Sequence, residues 1–303
     1  MGRALAVRLA WPGLACASFA LTSALLARGV EGTLVITAVY VSLAVAVASL
    51  ERWLPHAPRW NRDDGEIAHD IVFTLLGSGA TVLIVQALWV AALTSAAGRL
   101  SALAGSPLWP TAWPLALQVG LTVLVADLGA YWAHRICHEW RWLWPFHAVH
   151  HSVRRLWWLN TGRIHPVDVA TSFVLSTPAL ILLGAPESMM VWLACATSVI
   201  GMLSHCNIEM RTGWLDRIFN TPAVHRWHHS RDRSEADANY GENTTIWDQL
   251  FASFFLPARA PSIEIGTATP VPNSIAGQML QPLLGNARWE ALRRVRFAGA
   301  RRT

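Results

Sequence analysis

Residues 111–151 read TAWPLALQVGLTVLVADLGAYWAHRICHEWRWLWPFHAVHH. The first half is uncharged up to Asp127, and Pro107, Pro110 and Pro114 crowd its approach, so the spacing predicts a helix that starts near Thr111 and runs on past Asp127. A run of about 20 apolar residues is what a bilayer core demands. The second half then turns to histidine. Asp127, Tyr131, His134 and His138 follow at intervals of four, three and four, one continuous stripe along a helix. His147, His150 and His151 come next, spaced HxxHH. A membrane helix that ends in imidazoles points to an all-α, polytopic membrane helical bundle with a cytoplasmic helical cap carrying the histidine clusters.

Outward from this stretch, further uncharged runs lie at 9–27, 32–50, 71–98 and 100–126, with shorter ones at 169–186 and 188–204. They read as about six membrane segments, the last pair either a full or a re-entrant hairpin because Pro178 and Pro186 interrupt it. Composition agrees: 53% of residues are hydrophobic and 14% charged, against about 25% charged in soluble domains. All 24 basic residues are arginine. Six crossings with the N-terminus in the cytoplasm put 22 of them on the cytoplasmic side, leaving Arg28 and Arg99 outside. Both termini and the histidines are therefore expected to be cytoplasmic. Arg3 and Arg8 precede a run that resembles a signal peptide, but its length and the second run behind it favour a retained anchor. The net charge of +5 suits anionic headgroups. No basic run accompanies a soluble fold, so nucleic acid is not an expected partner. Four cysteines form no CxxC pair, which argues against a disulfide framework or a zinc ribbon. The chain divides into N-terminal membrane helices (1–110), a catalytic region (111–256) and a peripheral tail (257–303).

Ten of the 12 histidines fall within 134–229. His56 and His69 lie outside and read as surface residues. A second HxxHH comprises His225, His228 and His229, and each such cluster is expected to aim three imidazoles at one place. His205 ends the sixth run and reads as a ligand; His165, before Pro166, reads equally as a ligand or a helix cap. Neutral imidazole suits zinc, copper, iron and nickel. One catalytic zinc takes three protein ligands, so this many histidines supply two ions. Beside lipid, that suggests iron-dependent oxygen activation, because side-chain acids and bases cannot attack an unactivated C–H bond. Asp127 is expected to orient a ligating histidine. Tyr131 shares its stripe, and Asp237, Asn239, Glu242 and Asp248 are candidates for the same service after the last cluster, with Glu242 expected in a solvated loop. A membrane zinc hydrolase is the first rival, but Trp142 breaks the HExxH that His138-Glu139 begins. A non-catalytic haem or metal carrier is the second; haem ligands would be single histidines facing each other within the membrane.

Asp127-x-x-x-Tyr131-Trp132-x-His134-Arg135-x-x-His138, then His147-x-x-His150-His151-Ser152, resembles the fatty acid hydroxylase/sterol desaturase superfamily. Arg163-Ile-His165-Pro166, Thr221-Pro222-x-x-His225-x-x-His228-His229-Ser230, Asn239-Tyr240-Gly241 and Trp247-Asp248-x-x-Phe251 extend the likeness over about 127–251. The resemblance implies a non-haem di-iron centre (two Fe ions), O2 as co-substrate, and a lipid substrate that is hydroxylated or desaturated. By position it implies His134, His138, His147, His150, His151, His225, His228 and His229 as metal ligands, with His205 a ninth and His165 a tenth; Asp127, Tyr131 and Asn239 are expected as the catalytic residues beside them. It further implies an external electron donor of cytochrome b5, ferredoxin or reductase type, expected as a separate protein because no segment here looks like a cytochrome or a flavin site. One departure is Ala252-Ser253-Phe254, where many relatives carry Gly-Thr. Tryptophans at 140, 142, 144, 157 and 158 are expected to mark the membrane interface.

Overall fold

Helices α1 (Gly2–Ala27) and α2 (Gly32–Trp53) form the hairpin that the first two runs predict. Glu31 starts α2 by accepting the free N–H groups of Thr33 and Leu34. Val35, Val39, Leu43 and Val47, four residues apart, make one buried ridge, which packs with Val7 and Trp11 of α1 and with Val191, Cys195 and Val199 of a later helix. The computed structural model describes residues 2–105 and 108–285. Among these it has no strand, only three isolated bridges.

α3 (Ile67–Phe73) passes through a π-helical stretch, Thr74–Thr81, into α4 (Val82–Ala104), which stops at Gly105 with φ 73°. No α4 residue is buried, and Leu83 and Leu88 stand open. Such an apolar surface is what the acyl chains of a bilayer cover. α5 (Leu115–Glu139) begins after Pro114, four residues later than the sequence suggests, because that proline caps its first turn. It runs past Asp127 to end on the first two site histidines. α6 (Trp144–His151) follows at once.

The fifth uncharged run does not form one membrane helix. Pro178 splits it into α7 (Pro166–Ser176) and α8 (Pro178–Leu182), and α9 (Glu187–His205) returns. Five helical stretches are long and apolar enough to cross a membrane, and Pro166–Leu182 is a shorter apolar arm. Both ends of the α7–α9 hairpin, His165 and His205, lie on the side of the histidines. α7 packs on α5 so closely that a Cβ on Gly129 would lie 2.0 Å from Leu175 O, a contact only glycine permits.

α9 packs against α1, α2, α5 and α10 (Pro222–His228). Short helices α11 (Arg233–Ala236), α12 (Ile246–Leu250) and α13 (Ile275–Leu284) complete the cap. Residues 257–285 are tied to the rest by hydrogen bonds: Gln278 of α13 accepts from Arg163, and His69 Nε2 meets Asn273 O at 3.0 Å. The rest of the tail, 286–303, lies outside the described residues.

Candidate metal centre

The histidines assemble into two groups. His134, His138, His147, His151 and His228 form one; His150, His205, His225 and His229 form the other, and within each the ligand atoms lie inside 4.8 Å of one another. α5 contributes His134 and His138, and α9 contributes His205. Each HxxHH splits between the two groups, which corrects the expectation that it aims at one place. His147 and His151 of α6 face the first group and His150 the second; His225 and His229 face the second and His228 the first. Helical geometry explains this. Positions i and i+4 differ by about 40°, whereas i+3 and i+4 lie about 100° apart. The two groups share a wall: His151 stacks on His229 at 4.6 Å, and His225 on His228 at 5.3 Å.

The outer nitrogens determine what the inner ones can do. Tyr240 O accepts from His134 Nδ1 and Ala238 O accepts from His228 Nδ1, each at 2.8 Å. A carbonyl can only accept, so both rings carry their proton on Nδ1 and present a bare Nε2. Asp168 does the same for His147 at 2.7 Å and Asp237 for His138 at 3.0 Å. His134 Nε2 and His147 Nε2 are nonetheless only 3.1 Å apart, as are His138 Nε2 and His151 Nε2. Lone pairs at that distance repel. A cation among them converts repulsion into coordination, so the first donor set fits a metal ion.

The second set follows suit. His150 Nδ1 donates to Arg163 O at 3.3 Å and His205 Nδ1 to Asn160 Oδ1 at 3.4 Å. His205 Nε2 approaches His225 Nε2 to 2.8 Å, and His229 Nε2 lies 3.1 Å from His225 Nε2. Burial pushes His150 down to about 3 and holds His151, His225, His228 and His229 well below the ordinary imidazole range. Neutral rings are what a metal requires.

His165, the tenth candidate, joins neither group. Its Nδ1 accepts from Val167 N–H at the start of α7, and its Nε2 meets Met279 O at 3.2 Å, so it caps a helix and ties down α13. Asp127, Tyr131 and Asn239 touch no imidazole either. Asp127 accepts from the backbone and side chains of Asn243 and Thr244; the Tyr131 hydroxyl bonds Ser253 and Arg135; Asn239 bonds Val224 O and the backbone of Phe255. All three brace the 239–253 segment. Asn239 adopts φ 56°, a left-handed turn that asparagine tolerates, and so turns the carbonyls on either side of it, Ala238 and Tyr240, onto two histidines. Asp248 fixes the next two N–H groups, Tyr240 and Gly241, at 2.7 and 2.8 Å.

Asp237 fulfils its expected role, whereas sequence reasoning missed Asp168. Its one signal was an acidic residue at the mouth of an apolar run, where a charge is costly without a partner. Glu242 is half-buried against α7 rather than solvated, with Oε1 accepting from Ser172 at 2.8 Å; burial pushes its carboxyl up to about 7. Glu139, the residue a zinc hydrolase would need as its base, points outward to Arg135 at 2.8 Å.

Fold and site together join five helices long and apolar enough to cross a membrane with nine clustered imidazoles that could hold metal ions. Residues 119–253 match the fatty acid hydroxylase family. The chain is 43% identical over 288 residues to the ornithine lipid hydroxylase OlsE of Rhizobium tropici, covering 94% of this chain and 86% of that protein. Human alkylglycerol monooxygenase is 31% identical over 131 residues, 43% of this chain and 29% of its own length. Delta(7)-sterol 5(6)-desaturase ERG3B of Gibberella zeae is 31% identical over 159 residues, 50% of this chain and 44% of its own. No solved structure matches. The chain belongs to the fatty acid hydroxylase family, within the fatty acid hydroxylase/sterol desaturase superfamily, and is an oxygen-dependent lipid oxidoreductase. The family uses iron and O2.

Proposed function

We propose that the protein hydroxylates a membrane aminolipid of the ornithine-lipid class at a di-iron centre on the cytoplasmic face. The observation that carries this reading is the 43% identity to an ornithine lipid hydroxylase along 94% of the chain, joined to a complete two-group histidine set. His134, His138, His147, His151 and His228 would hold one iron, and His150, His205, His225 and His229 the other. Bound there, the irons supply the oxygen-dependent attack on an unactivated C–H bond that no side chain can perform. The net change is R–H + O2 + 2e⁻ + 2H⁺ → R–OH + H2O. The two electrons come from a separate donor protein of cytochrome b5, ferredoxin or reductase type.

The chain's own residues do the rest. Asp168, Asp237 and the carbonyls of Ala238, Tyr240 and Arg163 hold the protons of His147, His138, His228, His134 and His150 on the outer nitrogens, so those five rings turn a bare nitrogen inward. All nine histidines are buried, which keeps their rings out of bulk water. Expressing the protein in a host that makes ornithine lipid, then profiling lipids by mass, tests the reading. A +16 product of ornithine lipid is expected. Unchanged ornithine lipid in cells that hold iron-loaded protein would reject it, and a −2 product would place the chain among desaturases.

A further inference from the structure

A cavity of about 130 Å³ lies between the start of α3, the turn after α6 and the 267–278 segment. Its lining is polar apart from Val271 and Pro272. A water takes about 30 Å³, so the space suits a charged headgroup fragment rather than an acyl chain. Its walls adjoin the metal centre. Ser152, on one wall, follows His151, and the backbone oxygen of Arg163, on another, accepts from His150 Nδ1 at 3.3 Å. Thr269 accepts at 2.8 Å from Trp144, whose ring lies 5.2 Å from that of His138 and 5.6 Å from that of His151.

The lining has donors to spare. Arg154 is exposed, and among the described residues it makes no hydrogen bond or ion pair. Thr267 accepts from Thr269 N–H and Thr269 from Trp144 Nε1, while no acceptor among the described residues meets either hydroxyl proton. Arg163, 1% exposed, keeps a buried Nε without a partner. Glu66, the acidic residue of the lining, is already answered: Arg163 donates to its Oε2 at 2.9 Å. A free guanidinium with two spare hydroxyl protons has the chemistry that recognises an anionic oxygen group, a carboxylate or a phosphate. Ornithine acylated on its α-amine keeps its carboxylate, so a lipid of that class carries such a group in its headgroup.

We propose that this cavity binds the carboxylate of the aminolipid substrate's headgroup, with Arg154 as counter-ion and the Thr267 and Thr269 hydroxyls as donors. This rests on the reading of the chain as a hydroxylase of that lipid class. The test uses full-length, iron-loaded protein in phosphatidylcholine nanodiscs with three probes: ornithine lipid, its carboxyl methyl ester, and inorganic phosphate. Lipid retained by the protein is counted by native mass spectrometry, and a +16 product is read in parallel. Radiolabelled phosphate is followed by equilibrium dialysis.

Wild type is expected to bind ornithine lipid about 10- to 100-fold more tightly than the methyl ester, the range set by a charge-assisted hydrogen bond. Arg154→Gln should erase that preference, and Arg154→Lys, which keeps the charge without the planar fork, should restore part of it. A preference retained by Arg154→Gln overturns the proposal while leaving the hydroxylase reading intact; phosphate binding lost in that same variant would then mark a free-anion site. Equal binding of both lipids by wild type also overturns it and needs no variant to fold. Absence of any +16 product from wild type, with iron present, rejects the hydroxylase reading and this proposal with it. Iron content of each variant reports whether the fold survives.

Discussion

Histidines 228 and 229 are neighbours in the chain yet belong to different centres. Replacing them separately therefore dissects the site. His228→Ala should lower iron from about two to about one per chain by emptying the first group, and His229→Ala should do the same by emptying the second. Iron analysis with Mössbauer spectroscopy distinguishes the two remaining sites; loss of both irons in each single variant would show one indivisible cluster. Asp168 acts through His147, whose Nδ1–H it accepts at 2.7 Å. Asp168→Asn should weaken iron binding by about 10- to 100-fold, as removal of a ligand's hydrogen-bond partner does, measured by chelator competition. Asp127→Asn is the counterpart. That residue bonds only the Asn243–Thr244 loop, so the change should cost about 2–3 kcal/mol of stability through lost charged hydrogen bonds, seen as a lower Tm before any loss of metal affinity.

Among the elements, the 239–253 segment is the least regular and the most consequential. It has one short helix, α12, yet two of its neighbouring carbonyls set the protonation of His134 and His228. Asn239, at φ 56°, holds it in that shape. Asn239→Ala should cost about 2–4 kcal/mol, from left-handed backbone strain and the lost side-chain hydrogen bonds, and should loosen iron at the first group before the second. Asn239→Gly removes the strain and should recover part of the loss. Equal iron retention in both variants would separate the turn from the metal site. The expected helices were legible because hydropathy and proline are local signals: Pro114 and Pro178 place the start of α5 and the break between α7 and α8. The brace residues were misread for the opposite reason. Asp127 shares a stripe with His134 and His138, but the partners that claim it lie 116 and 117 residues away.

At the scale of the molecule, nine buried imidazoles make the metal-free protein sensitive to acid. Burial holds His150 at about 3 against an ordinary value of 6.5. Between those values the unfolded chain binds a proton that the folded chain does not, so stability falls as pH drops below about 6.5. His151, His225, His228 and His229 shift the same way. Metal-free protein in detergent should therefore lose Tm steeply between pH 7 and pH 5. Iron-loaded protein should hold its Tm further down that range, because bound metal keeps the imidazoles unprotonated. Parallel curves for the two forms would contradict this.

The sequence by itself determined the membrane bundle, the ten-histidine window and the family, because apolar runs, helical spacing and motif order are all local in the chain. It could not divide the histidines between two centres. That division depends on how α5, α6, α9 and α10 are set against one another, since adjacent helical positions point about 100° apart and each direction has meaning only once a neighbour stands there. Nor could it find the groups that hold the proton on each outer nitrogen. Asp237 lies 99 residues from His138 and Tyr240 lies 106 from His134, and only the tertiary fold brings an acceptor across such a distance.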